Sequence, residues 1–183
     1  VIRGQSQNRI NVLLDGAYTF GGCPNRMDPP TAYAPPTTYE SIRVLKGLQT
    51  LEYGAGGAGG TVLFERVTPR FTGEKKYRGL VEGGYRSNGD GWDATADLAA
   101  GSEMGFGRII GSHSESGNYT DGNGDEVRSA FRSNMGAIIA GWTPDDRSRL
   151  EFSAERIQLR DELFAGAGMD SPSSDNDIYR LKY

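Results

Sequence analysis

Tyr77-Arg78-Gly79-Leu80-Val81-Glu82-Gly83-Gly84-Tyr85-Arg86 and, past Ser87, Asn88-Gly89-Asp90-Gly91 and Trp92-Asp93-Ala94-Thr95-Ala96-Asp97-Leu98-Ala99-Ala100 make up the stretch that decides the fold. Tyr77, Gly79, Val81, Gly83 and Tyr85 fall on one side of a period-two pattern, with Arg78, Glu82 and Arg86 on the other and Leu80 as the exception. After the Gly-rich turn the alternation resumes, with Trp92, Ala94, Ala96, Leu98 and Ala100 set against Asp93, Thr95 and Asp97. Two alternating runs around such a turn read as a β-hairpin with matched faces. Each run carries an aromatic residue near one end, as suits the level where an amphipathic ring has one dry and one wet side.

The same texture continues toward the C-terminus. Strands are expected over 106–115, 128–142 and 147–161, with a sixth beginning near Asp177. Phe131, Met135, Ala137 and Ile139 share a face, and Leu150, Phe152 and Ala154 oppose Glu151, Ser153 and Glu155. Residues 102–105 and 144–146 read as tight turns, whereas 117–126 and 163–176 read as long polar loops; residues 88–91 form a short connection at the long-loop end. Short turns at one end and long loops at the other mark a transmembrane β-barrel, and runs of ten or more residues exceed the usual strand of about 5–6. A soluble antiparallel sheet with one wet face gives the same alternation.

Composition narrows the field. Gly accounts for 27 of 183 residues, about twice the average usage of about 7%. No apolar run approaches the roughly 20 residues of a spanning helix, a test to which alternating barrel strands are invisible. A net charge of −4, with basic residues scattered among acids, excludes a nucleic-acid partner. One cysteine forms no intrachain disulfide, and the chain opens at Val1 with no initiator Met, basic n-region or apolar h-region, as a mature N-terminus or an internal start would both give.

Residues 1–71 differ in texture, mixing short apolar runs with Gly and Pro. Val12-Leu13-Leu14 is a buried strand candidate running into the turn Asp15-Gly16. Residues 37–48 read as a short helix, capped by Thr37 or Thr38 with Glu40 in its first turn, then a strand ended by Gly47. A glycine cluster at 53–60 precedes the β-type run Thr61-Val62-Leu63-Phe64. Val1-Ile2-Arg3-Gly4, Asn11-Val12-Leu13-Leu14-Asp15-Gly16 and a closing motif follow one another in order. The closing motif runs Tyr39-Glu40-Ser41-Ile42-Arg43-Val44-Leu45-Lys46-Gly47, then Tyr53-Gly54-Ala55-Gly56-Gly57-Ala58-Gly59-Gly60-Thr61-Val62. This series resembles the plug domain of TonB-dependent outer-membrane receptors. Two departures stand out: Leu48-Gln49 replaces a Pro-containing step, and 61–64 lacks the Asn common after the paired glycines.

The resemblance implies a mixed α/β plug segment at 1–71, then the first antiparallel β-strands of a large transmembrane β-barrel at 72–183, the barrel being incomplete in this chain. It also implies a bacterial outer-membrane location, outer-membrane lipid around the wall, and the TonB energy-coupling system as partner.

Gly21-Gly22-Cys23-Pro24-Asn25-Arg26-Met27-Asp28-Pro29-Pro30 carries the metal question. Thiolate and thioether are soft donors that favour Cu(I) over hard cations. Pro24 holds Cys23 extended and Asp28-Pro29-Pro30 blocks a long helix, so a tight loop or a single turn could bring both sulfurs to one ion. Taken alone, a Cys and a Met four apart are more often packing residues than ligands. The segment also resembles the plug of the copper-receptor branch, which implies metal ligation by Cys23 and Met27, copper as transported ligand, and further His and Met donors. His113 and Met169 are weak candidates for those; His113 reads as a strand or pore-facing residue, and the missing donors are expected beyond Tyr183.

Other chemistries fit poorly. The G-x-G-x-x-G at 54–59 precedes a strand rather than the helix a dinucleotide site needs. Cys23 followed by Pro24 lacks a nucleophile turn and a backbone N–H for an oxyanion, so no enzyme is expected. Two alternatives stay open: a receptor for a siderophore or other metal chelate, with the two sulfurs as packing, and a soluble or surface β-sheet binding protein.

Overall fold

A computed structural model describes every residue except 1, 3, 5–8, 20–28, 48–50, 55–56, 146 and 167–168. The chain divides into two compact units, Val1–Thr68 and Pro69–Tyr183.

The first unit is built on a four-stranded sheet of order β2-β1-β4-β3, from β1 (Ile10–Leu14), β2 (Ala17–Tyr18), β3 (Ser41–Lys46) and β4 (Gly60–Glu65). Asp15 and Gly16 both take positive φ, 52° and 80°, as a two-residue hairpin turn requires, and they turn β1 back into β2. β1 pairs in parallel with β4, Ile10 facing Gly60 and Leu14 facing Phe64, while β3 closes the other side antiparallel. Gly60, at φ 145°, must be Gly: a Cβ there would collide with the Leu45 carbonyl on β3. Leu14, Ala34, Tyr39 and Phe64 form the core, flanked by Val12 and Val62, with the Tyr39 and Phe64 rings edge to face at 5.3 Å.

The helix expected from Thr37 is absent. A 3-10 turn spans Pro36–Thr38 and β3 starts at Ser41. The Thr38 hydroxyl donates back to the Pro35 carbonyl at 2.8 Å rather than capping a following turn. The Glu40 N–H is drawn across the sheet to the Glu65 carbonyl, and the β-branched Ile42 and Val44 follow it there. The strand at 61–64 and the stop at Gly47, φ 88°, are as expected.

The second unit is a six-stranded antiparallel sheet of consecutive neighbours: β5 (Tyr77–Arg86), β6 (Gly91–Ser102), β7 (Gly105–Ser116), β10 (Phe131–Trp142), β11 (Leu150–Leu163) and β12 (Asp170–Lys182). β5 and β12 are open edges. A small hairpin, β8 (Tyr119–Thr120) with β9 (Glu126–Val127), stands inside the loop expected at 117–126. Asp121 ties its turn by accepting from the Asn123 and Asp125 N–H groups. The short turn after β10 is tied by Asp145, which accepts from the backbone N–H groups of Arg147 and Ser148 and is thereby held below the usual carboxylate range. The sixth strand corrects the sequence reading: it begins at Asp170, not near Asp177, and shortens the last loop to 164–169. Ser171, Ser173, Ser174, Asp175 and Asn176 offer no apolar alternation, but pairing with β11 holds them extended. Pro172, which lacks an N–H, lies opposite a break in the ladder at Asp161, φ 52°.

Strands β6, β7, β10 and β11 alternate between a more buried and a more exposed face, whereas β5 is exposed along nearly its whole length. Phe106, Arg108 and Ile110, Met135, Ala137 and Ile139, and Glu151, Ser153, Glu155 and Ile157 are buried; Leu98, Ile109, Ile138, Phe152, Tyr179 and Leu181 are exposed. The exposed face divides along a line. Going from the short-turn end, and apart from Ser102 at the end of β6, its side chains are apolar or Gly up to Tyr179 on β12, Ala154 on β11, Gly136 on β10, Gly111 on β7, Trp92 on β6 and Tyr85 on β5. Asp177, Arg156, Asn134 and His113 begin the polar part. Because Ala154 faces Ile138 and Gly111 faces Ala96, the line moves two residues between β11 and β10 and four between β7 and β6. Six residues is about 20 Å along the strands, against about 24 Å across five strand spacings, so the line makes about 40° with the hydrogen-bond direction.

Candidate functional site

Cys23 and Met27 lie in the segment 20–28, outside the described residues. Its two anchors are described. The segment leaves after β2, the edge strand of the first sheet, through the buried Thr19. It returns through Pro29, in extended conformation, into a 3-10 turn at Pro30–Tyr33, closed by Ala32 N–H to the Pro29 carbonyl at 2.8 Å. Tyr33 and Ala34 are each 2% exposed, and Ala34 joins the core with Leu14 and Phe64. Pro29 stays out of the turn and Pro30 opens it. The nine residues that carry both sulfurs thus lie between the buried Thr19 and the turn that leads to Ala34.

Below those anchors lies a buried ionic node that sequence reading missed. Arg66 donates from Nη1 to Asp15 Oδ2 at 2.9 Å, from Nε to the Thr38 carbonyl at 2.9 Å, and from its backbone N–H to Asp15 Oδ1 at 2.8 Å. Its guanidinium sits 4.2 Å from the Tyr39 ring centroid, and the paired side chains are 3% and 7% exposed. One cation thus joins the turn that launches β2, the 3-10 turn at Pro36–Thr38 and the end of β4. Asp15 was legible only as a turn residue, and nothing local marks Arg66, since the partners are 51 positions apart. By contrast, Arg43 and Glu65 form an exposed two-bond pair at 2.7 Å, which raises the arginine pKa above its ordinary value.

His113 is not on the buried face, where a pore-facing residue would stand. It shares the exposed face with Trp92, ring centroids 4.4 Å apart, and its Nδ1 lies 2.7 Å from Asn134 Oδ1. Period two decides this: His113 faces Ala94 and Asn134, on the side of Ile109 rather than that of Ile110. Met169 is exposed in the loop before β12. No group of three or more His, Cys, Asp or Glu side chains poised for a metal occurs among the described residues.

The buried face of the second sheet carries charge in pairs. Asp97 receives two bonds from Arg108, at 2.8 and 2.6 Å, Glu155 pairs with Arg180, and Lys182 lies 3.6 Å from Glu151. An open concavity of about 680 Å³ at the long-loop end is lined by polar groups including Asn88, Glu115, Asn118, Glu126 and Arg132.

Residues 1–61 match the family model described as TonB-dependent Receptor Plug Domain. Among solved structures, a protein named Copper transporter OprC is similar to this chain, with a TM-score of 0.88 and 37% sequence identity over 99% of the chain. The chain spans 27% of that transporter's length. No curated protein matches.

Proposed function

Since the chain belongs to the TonB-dependent receptors, by plug sequence and by fold, we propose that it serves in the bacterial outer membrane to capture copper and pass it to the periplasm. The observation that carries this reading is a soft-donor pair, Cys23 and Met27, on a plug segment that runs from the buried Thr19 to the Pro29-Pro30 pair ahead of the core residue Ala34, in a chain similar to a copper transporter.

Thiolate and thioether are polarisable and suit Cu(I), and a free thiol in an oxidising compartment is better kept when it has a ligand to hold. Two sulfurs leave coordination positions open for donors from other parts of the receptor, expected beyond Tyr183. The plug changes to barrel wall near Phe71 in this reading. When the TonB system pulls on the plug, displacement of the segment 20–28 separates the sulfurs from the barrel donors and releases the ion inward. No bond of a substrate is made or broken, so the protein is a transporter and not an enzyme.

The exposed face supports the membrane placement. Strands in outer-membrane barrels tilt by about 35–45°, so a line at about 40° to the hydrogen-bond direction runs level with the membrane. Strands of 10 to 14 residues meet or exceed the roughly 9–11 needed to cross it. Paired charges on the other face match a polar barrel interior.

Copper accumulation in copper-limited cells tests the cargo. Cells carrying the Cys23→Ala or Met27→Ala receptor should accumulate no more copper than cells lacking TonB. If both variants accumulate copper like wild type while uptake of an iron chelate depends on the receptor, the siderophore alternative replaces this one.

A further inference from the structure

The polar part of the exposed face has its own chemistry. Beyond the apolar line, Arg156 and Arg160 on β11 face Asp177, Asp175 and Ser173 on β12, and Arg132 on β10 faces Glu115 on β7. These groups stand on paired strands, at fixed spacing, directly continuing the apolar band along the same side of the same strands. Arg160 is committed, 2.7 Å from Asp175 and donating to the Leu159 carbonyl. Arg156 is not: it lies 3.9 and 3.7 Å from Asp175 and Asp177, too far for a hydrogen bond, and is 57% exposed. Arg132 makes one bond, from Nε to Glu115 at 3.3 Å, and is 52% exposed. Two guanidiniums thus keep donor forks turned outward, among carboxylates that cancel their net charge.

We propose that this lattice is a docking surface for the phosphorylated headgroup of a lipid in the outer leaflet beside the receptor. The inference rests on the membrane placement given above. A lipid whose chains lie against Ile138, Phe152 and Tyr179 brings its headgroup to the level of Arg156 and Arg132, because the polar residues begin where the band ends. Guanidinium forks match phosphate oxygens two at a time, and a carboxylate such as Asp177 can share a divalent cation with a second phosphate. A mixed, neutral lattice of both signs suits a crowded array of phosphates and divalent cations better than a purely basic patch would.

The test uses the intact receptor in mild detergent, wild type beside the double variant Arg132→Gln with Arg156→Gln, both exposed positions outside the plug and core. Bound lipid is counted by native mass spectrometry after adding a phosphatidylglycerol, or a diacylglycerol with the same acyl chains and no phosphate. The expected result is that the double variant loses phosphatidylglycerol by about thirty-fold, two basic residues each contributing at an anionic surface, and keeps the diacylglycerol unchanged. Equal phosphatidylglycerol on both proteins overturns the headgroup site while leaving the membrane band standing. Displacement of the lipid by equimolar inorganic phosphate also overturns it, in favour of a soluble anion site. Loss of both lipids from wild type, with solubility in the absence of detergent, overturns the membrane placement itself.

Discussion

The two sheets apply one alternation rule to opposite ends. In the first unit Leu14, Val12, Val62 and Phe64 turn toward a core shared with Ala34 and Tyr39. In the second, Ile109 and Ile138 are 62% and 61% exposed while Arg108 and Glu155 are 2% and 3% exposed. Period two fixes which residues share a face, but not which face meets water. That is decided by the surroundings: a plug core excludes water from its apolar side, whereas a barrel wall offers its apolar side to lipid and keeps polar side chains inward.

The contrast can be broken most severely in the first unit. Arg66→Ala leaves Asp15 buried without its cation, beneath Thr38 and the turn into β2. Removing one partner of such a pair costs about 3–5 kcal/mol. Hydrogen exchange on the intact receptor should show loss of protection across β1 and the Pro36–Thr38 turn, with the second sheet unchanged.

The next largest effect is expected on the lipid face. Ile138→Arg, between Ile109 and Ala154, places a charge inside the apolar band at a cost of about 2–4 kcal/mol. Refolding into vesicles should be impaired accordingly. If Ile138→Arg folds into vesicles like wild type, the exposed face is not a lipid face.

Gly60→Ala sharpens the comparison at an intermediate size. A Cβ there meets the Leu45 carbonyl at φ 145°, so strain of about 1–3 kcal/mol should loosen β3 from β4. Gly111→Ala, on the exposed face of β7 with open space around it, should be close to neutral in the same refolding measurement. Arg43→Gln is the smallest change: its pair with Glu65 is exposed on both sides, and no shift in denaturation midpoint is expected.

What the sequence made legible follows the same physics. The hairpin of Tyr77 to Tyr85 with Trp92 to Ala100 was readable because apolar residues or Gly recur there at every second position on both paired strands. The first half of β12 was not readable, because Ser173, Asp175 and Asp177 lie beyond the apolar line, where nothing selects for apolar side chains. Thr37 and Thr38 suggested a helix cap because the cross-sheet bond that pulls Glu40 into line with Glu65 is invisible locally. His113 was legible as a strand residue, which it is in β7, but not which face it takes, because a lone histidine among Ser112, Ser114 and Glu115 gives no apolar phase to count from. Asp15 and Arg66 meet only through the parallel pairing of β1 with β4. Cys23 and Met27 were legible as chemistry, since softness belongs to the side chains, while their geometry depends on the whole segment 20–28.

Copper stoichiometry, measured by elemental analysis on the detergent-purified intact receptor, bears most directly on the central proposal. Wild type should retain copper, and Cys23→Ala and Met27→Ala should each lose it while keeping the protected plug core around Leu14 and Phe64. Unchanged copper in both variants, or none in wild type, would contradict the assignment of the two sulfurs as ligands.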